Sequence, residues 1–384
     1  FMLLFLIAVG LFGVLSDNNT LFLFIKIFIG LVLSASFYYY VFRHYDFDVD
    51  FLFRMYLKGA YYAAVIGVVQ FVAFRLHITP LYNFRWLFNK WGLPPGSVLG
   101  IRINSVFSEP AQCAIVLSPA AMVGFYSIFF RDTSYYTVLR SLIVIGVFIL
   151  TFSSTGYFGL FIIILLLAVN FGQIANFVSA LVFGAVAVFL LYRLVPEFQS
   201  RIDSTIELWI YQNYALENVN SSSFVLYNNF HVAWENFKSN FLFGTGLGSH
   251  QAAFDKYSLT KNEDILNFTF NQSDGNSMFV RLMSETGLSG LVFMFVFLRR
   301  NFVRRTGELR NNTHWLISSA MMTIILLYLL RQGNYFVNGF PFFMWMYYFN
   351  AVEYRKKMAM REEEAFDGEE EEVDGETEAL PANA

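Results

Sequence analysis

The chain has 384 residues, of which 56% are apolar and only 14% charged, and its mean hydropathy is +0.49. A soluble domain carries about a quarter charged residues, so this composition excludes an ordinary globular domain and points to an all-α integral membrane protein. One cysteine, Cys113, excludes an intrachain disulfide and a thiolate metal cluster. The net charge of −3 hides an asymmetry, because Glu362 to the end holds eleven acids and no base. That leaves a positive remainder, and the stretch 355–384 reads as a solvated, disordered cytoplasmic tail.

The sequence is apolar from Phe1 onward, as expected of a processed or incomplete start or a clipped first span rather than a signal peptide with its charged leader. A span needs roughly 20 apolar residues. On that basis ten helices are expected, at 1–15, 20–42, 59–77, 109–130, 138–153, 155–171, 174–194, 276–298, 314–331 and 336–352. Short turns such as Ser16-Asp-Asn-Asn19 and Asn170-Phe-Gly-Gln173 suit hairpins of spans. Spans one to seven occupy 1–194 and include a polar outer segment at 78–108, and spans eight to ten occupy 276–354. Between them, 195–275 is too polar for lipid: from Pro196 to Gly275 it holds nine acids, four bases and two histidines. It is expected to be one large extracytoplasmic loop with amphipathic helices, held against the bundle.

Lys and Arg in short loops set orientation. Arg299, Arg300, Arg304, Arg305 and Arg310 against Glu308 put the loop after span eight in the cytoplasm, and Arg355, Lys356, Lys357 and Arg361 agree. Counting back puts 43–58, 131–140 and both termini inside. The long loop, 78–108, the turn Ser153-Ser-Thr155 and the junction Arg331-Gln-Gly-Asn334 then lie outside. Arg85, Lys90, Arg102, Arg193, Arg201 and Arg331 sit on that outer face against the usual rule, with Arg281 a turn and a half inside span eight. Each alone can snorkel to head groups, and Arg281 can pair with Glu285 at i+4. As a cluster they suit phosphate, because guanidinium matches its oxygens and stays charged.

Arg102-Ile-Asn-Ser-Val-Phe-Ser-Glu-Pro-Ala-Gln112 is the sharpest local feature. Pro110 fits a first helical turn, Ser108 is the expected N-cap, and Glu109 sits at the positive helix end. Capping alone leaves Arg102 and Gln112 unexplained, and Glu109 could accept a hydroxyl proton. Gly244-Thr-Gly-Leu-Gly-Ser249 has neither the Lys-Ser/Thr of a P-loop nor a strand–helix setting. It is expected to end an amphipathic helix over 224–237 and to let backbone approach the bundle or a ligand. His231 and His250 lack ligand partners at metal spacing, so no metal site and no cofactor are expected, and no nucleic-acid partner.

With these residues in view, the chain resembles the O-antigen polymerase/ligase superfamily, and within it the Wzy-type polysaccharide polymerases. The resemblance rests on Arg102 through Phe107-Ser-Glu-Pro110, the turn Ser153–Gly156, Phe243-Gly-Thr-Gly-Leu-Gly248, and Asn276 and Phe279 running into Glu285-Thr-Gly-Leu-Ser-Gly290. Ligases of the family place His before that Asn, where this chain has Gly275, and Phe224–Tyr227 lacks the family's Arg. The resemblance implies a metal-independent glycosyltransferase in the bacterial cytoplasmic membrane, moving a glycan from undecaprenyl diphosphate to the end sugar of a lipid-linked repeat unit. It implies Arg102, Arg281 and Arg331 for the diphosphate, and Glu109 as base with Asp274 and His250 in reserve. Tyr211, Tyr227 and Trp234 are candidate sugar platforms, and a chain-length regulator is a candidate partner. The alternatives are a ligase acting on a lipid or protein acceptor, and a transporter or flippase of lipid-linked glycans. Transport predicts paired repeats and midplane charge, for which Lys26 is the clearest candidate.

Overall fold

The computed structural model describes residues 2–89, 91–93, 99–171, 182, 184–186, 188–190, 192–213, 220–262, 271–305, 313–336 and 339–378. Among the described residues every regular element is helical. In chain order they are α1 (Met2–Leu15), α2 (Leu21–His44), α3 (Val49–Arg75), the short α4 (Thr79–Tyr82), α5 (Pro110–Phe130), α6 (Val138–Leu150) and α7 (Ser154–Phe171). There follow α8 (Pro196–Trp209), α9 (Ser221–Ser239), α10 (His250–Tyr257), α11 (Met278–Asn301), α12 (His314–Arg331) and α13 (Phe340–Glu378). Six of them, α2, α3, α5, α7, α11 and α12, are long and apolar enough to cross a membrane, with shorter apolar helices in Leu4–Leu15, Val138–Leu150 and Gly184–Leu194. The protein is a helical bundle suited to a bilayer.

Several boundaries differ from the sequence expectation. The helix expected at 59–77 starts ten residues earlier, because the Asp48 carboxylate caps it by accepting from Phe51 N and Asp50 pairs with Arg54 at 2.6 Å. Much of the span expected at 174–194 lies outside the described residues. The tail expected to be disordered continues helical as far as Glu378. Glu, Ala, Met, Arg and Lys are good helix formers, and a helix already nucleated by the bundle extends without a new nucleation cost.

Helix α5 lies at the centre, packed on α3, α6, α7 and α12. It carries Pro119 in its interior, which removes the bond to the Ile115 carbonyl. The Ser118 hydroxyl donates to that carbonyl at 2.8 Å and Tyr56 Oη donates to the next, Val116. Backbone freed inside a membrane must be satisfied in this way. At one end of the bundle Arg54 reaches the Ser134 carbonyl at 2.9 Å, Tyr135 Oη reaches Asp50 at 2.6 Å, and Arg355 reaches the Arg300 carbonyl at 3.3 Å. The places expected to be cytoplasmic therefore share one end. At the other end Asn19 donates to the Leu247 carbonyl at 2.7 Å, Ile103 N to Leu150 O at 3.1 Å, and Arg331 to Ser222 Oγ at 3.0 Å.

Helix α11 is broken. Gly287 has φ 61° and ψ −154°, a conformation outside the helical region. The break exchanges hydrogen bonds with the Gly-rich turn: Leu288 N and Ser289 N donate to Phe241 O and Leu242 O at 2.8 and 3.0 Å. In return Thr245 N and Gly246 N donate to Ser284 O and Glu285 O at 3.2 and 2.9 Å. The side chain of Asn236 clamps the same place, donating to Thr245 Oγ1, Ser284 O and Ser284 Oγ at 2.8 to 3.0 Å. The Gly-rich run thus approaches the bundle, as one of its two expected uses. A β-carbon at Gly287 would lie 2.7 Å from Phe241 O and 2.6 Å from Gly244 N. Gly287→Ala is expected to lower the unfolding midpoint in detergent, losing at least the roughly 1–2 kcal/mol of a left-handed non-glycine residue. Gly59→Ala, at a helical position with open space around it, serves as the control and should hold or gain up to about 1 kcal/mol.

Candidate functional site

The stretch expected to be a polar outer segment ends in coil that dives back among the helices. Ile101, Ile103, Asn104 and Ser105 are all buried between Gly100 and Phe107. Coil at this depth needs partners for its backbone, and Gln70, fully buried on α3, supplies them. Its Oε1 accepts from Asn104 N at 3.3 Å and Ser105 N at 2.8 Å, and its Nε2 donates to Asn104 Oδ1 at 2.9 Å. Asn104 Nδ2 in turn donates to Gly92 O and Phe107 O at 3.2 and 2.9 Å, and Ser105 Oγ to Ala63 O at 2.7 Å. This knot fixes the position from which Arg102, half-buried, and Glu109, exposed, are presented. Sequence reasoning missed Gln70 and Asn104; a lone amide in an apolar helix was the available signal.

Glu109, rather than the expected Ser108, is the N-cap residue of α5, and Pro110 opens the helix. The Ser108 hydroxyl instead donates to Gln112 Oε1 at 2.9 Å. Glu109 makes no capping bond, so its carboxylate stays exposed at the positive end of the helix. Just below it, Phe107, Gln112, Ile115, Val116, Tyr328 and Gln332 line a cavity of about 140 Å³ between α5 and α12. Gln332 follows Arg331, the last residue of α12, whose guanidinium reaches Ser222 on α9. Residues from the 102–112 motif and from the 331–334 junction therefore meet around one small cleft. In the turn expected to join spans five and six, Ser153 and Thr155 are buried, and Gly156 packs tightly against Ala114 of α5. That turn packs into the bundle, with Ser154 half-buried.

A second cluster sits beside the first. Arg281 is buried, with Nε on Glu285 Oε1 at 2.7 Å, one Nη on Gly333 O at 2.9 Å, and its guanidinium 4.4 Å from the Tyr335 ring centroid. Tyr335 Oη donates to Glu285 Oε2 at 2.9 Å. Arg281, assigned to a diphosphate in the sequence, is thus buried with its charge paired to Glu285 at i+4. The carbonyl of Asp274 packs against Gly333 with no room for a β-carbon there, while its half-buried carboxylate accepts from Asn271 Nδ2 and Asn276 N at 2.8 and 3.1 Å. It lines a shallow polar cleft of about 420 Å³ with Gln251, Asn271, Gln272 and Ser273.

His250 lies under that cleft, fully buried at the start of α10. Asn229 Nδ2 donates to Val225 O at 2.8 Å, which turns Asn229 Oδ1 toward His250 Nε2 at 3.1 Å. The proton is therefore on Nε2, and Nδ1 is a buried lone pair without a partner. Burial, and then the positive charge of Arg281, push its pKa down to about 3. Gly275, with φ 63°, is what admits the ring: a β-carbon there would stand 3.0 Å from Nε2. The histidine is neutral at any ordinary pH and closed to solvent, which suits packing better than proton transfer.

The three candidate sugar platforms differ in exposure. Tyr211 is 68% exposed at the end of α8 and Trp234 is 45% exposed on α9, while Tyr227 is buried against Leu208 and Phe224. Tyr227 also meets Trp209 edge-to-face at 5.0 Å, so its ring is spent on packing. Lys90 lies outside the described residues. Lys26, the candidate for charge in the midplane, is exposed on the outside of α2 rather than directed into the bundle. No model of a known protein family matches the chain, and no curated protein matches it.

Two measurements check this geometry. Arg281→Leu strands a buried carboxylate and should cost about 3–5 kcal/mol, while Arg281→Leu with Glu285→Leu should recover most of it; equal thermal losses in detergent would contradict the buried pair. His250 is neutral in the fold but takes a proton once unfolded below its ordinary pKa of about 6.5. Its contribution is therefore present above pH 6.5 and lost as the pH falls toward 3, by up to about 1.4 kcal/mol per pH unit. Thermal unfolding of His250→Gln over that window should have a correspondingly shallower pH slope than the unaltered protein.

Proposed function

We propose that the chain is a Wzy-type polysaccharide polymerase. It would move a glycan from undecaprenyl diphosphate onto the end sugar of a lipid-linked repeat unit. In this proposal the bundle has ten spans in the bacterial cytoplasmic membrane, with both termini in the cytoplasm and the 195–275 loop outside. One observation carries it. Segments holding motifs of the resemblance gather at a single end of a helical bundle, where Phe107 and Gln112 of the first motif share a cleft with Gln332, the residue after Arg331. The opposite end holds Arg54, Arg300 and Arg355, as a cytoplasmic face requires.

The acceptor hydroxyl attacks the anomeric carbon of the donor glycan while its proton passes to the Glu109 carboxylate. The bond from that carbon to the diphosphate oxygen breaks, and the electron pair leaves with undecaprenyl diphosphate. Arg102 and Arg331 meet the growing negative charge, and guanidinium forks placed beforehand cost no reorganisation during the step. The side-chain amides of Gln112 and Gln332 are positioned to orient sugar hydroxyls or phosphate oxygens. Arg281 has no direct part, because Glu285 and Gly333 occupy it. The departure at Gly275 from the ligase pattern favours a lipid-linked sugar as acceptor over a lipid core or a protein.

Arg102→Ala, Arg331→Ala and Glu109→Ala should each lower the polymerisation rate by about 10²–10³, the usual loss when a preorganised electrostatic partner is removed. In cells dependent on this chain, the long-glycan ladder on a gel should collapse to single repeats while membrane levels of the protein are unchanged. Wild-type chain lengths from Arg102→Ala and Glu109→Ala would overturn the proposed site.

A further inference from the structure

Helix α9 buries its amides in the protein while part of an aromatic flank stays outside. Its three asparagines, Asn228, Asn229 and Asn236, are all buried toward the protein, where they hold Ser258, His250, Thr245 and Ser284. That flank is exposed at Trp234 and buried at Phe237. Ring centroids run without a gap from Trp209 of α8 to Phe230 at 4.9 Å, on to Trp234 at 6.4 Å, to Phe237 at 5.9 Å and to Phe241 at 4.9 Å. Trp209 is 47% exposed and Trp234 45%, and the ladder ends on Phe241, Leu242 and Phe243, each about half exposed. Trp209, Trp234 and Phe241 to Phe243 thus form an exposed apolar edge, which suits a surface lying against lipid better than one in water.

The depth of the ladder follows from the break in α11. Phe241 and Leu242 are tied by their carbonyls to the N–H groups of Leu288 and Ser289. From Leu288 the helix runs down to Asn301, next to Arg299 and Arg300, a distance of about 20 Å at 1.5 Å per residue. The hydrocarbon core is about 30 Å thick, so the lower end of the ladder falls within it when Asn301 lies at the opposite boundary. The exposed face of α11 just below, with Val292, Phe295 and Val296, continues the same apolar surface.

We infer that the polar excursion between 195 and 275 is partly a membrane-bound element. The aromatic flank from Trp209 to Phe243 sits in the acyl chains and head-group boundary of the bilayer the bundle spans, while the cleft around Ser273 and Asp274 faces water. This inference does not rest on the proposed glycan chemistry. Indole rings at an interface and Phe and Leu below it match the usual gradient at a membrane surface.

Cys113 is the only cysteine and is buried, so single-site labelling tests the inference. In a Cys113→Ala background, Leu242→Cys, Phe243→Cys and Ser273→Cys carry a nitroxide, and the protein is reconstituted into phosphatidylethanolamine–phosphatidylglycerol vesicles. Labels at 242 and 243 should relax with oxygen and resist a water-soluble nickel chelate, giving an oxygen-to-nickel ratio many-fold above that at 273. Nickel access at 242 and 243 equal to that at 273 would overturn the inference, as would labels reached by neither reagent, which would mean a protein partner covers the flank. Should the cysteine-free protein fail to fold, the unaltered chain and Trp234→Phe are compared in vesicles of brominated lipid. The substitution should remove a measurable part of the bromine-quenched tryptophan emission, and an unchanged quenched fraction would overturn it.

Discussion

The structure depends on one exchange of backbone hydrogen bonds. At Gly287 a helix buried in the bundle breaks, which exposes two carbonyls and two N–H groups in a place where water cannot serve them. Each such group left alone would cost several kcal/mol. The turn from Phe241 to Gly246 supplies all four partners, and Gly244 and Gly287 lack the β-carbons that would hold the two strands of backbone apart. The long loop is thus part of the bundle's hydrogen bonding, not an appendage to it. Asn19 extends the tie to the α1–α2 turn through the Leu247 carbonyl.

The same economy governs the rest of the interior. Wherever the chain leaves regular structure at depth, a buried amide or hydroxyl closes the gap: Gln70 and Asn104 under the 99–109 coil, Ser118 and Tyr56 beside Pro119, Asn236 at the break. Near the opposite end Asn170 joins Ser319 to the backbone of Arg305, and Asn350 joins His314. These groups make coil tolerable among helices, and coil is what carries Arg102 and Glu109 to the mouth. Packing of the helices and placement of the candidate site are one arrangement.

Charge is divided by the same logic. Arg281 looks like a ligand-binding cation in the sequence, but a buried guanidinium is stable only when paired, and Glu285, Tyr335 and the Gly333 carbonyl complete its shell. Arg102 and Arg331 are half-buried at the mouth beside a cleft with two amides.

Much of the architecture was legible in the residues alone. Apolar blocks longer than 18 residues can only be helices in lipid, so the helical bundle and the sharing of loops between its two ends followed from composition and basic residues. The i+4 spacing of Arg281 and Glu285 allowed their pairing as one of two readings, and Pro110 marked the start of α5. Only the tertiary structure decided which reading holds, because pairing depends on burial, and burial depends on what α12 and α13 bring to that face. The break at Gly287 was hidden for the same reason. A helix-length apolar run contains no local signal that a loop forty residues earlier will take over its hydrogen bonds. The burial of the α9 asparagines was invisible too, since asparagines and tryptophans on one helix do not announce which of them will face the protein until the neighbours that satisfy the amides are in place.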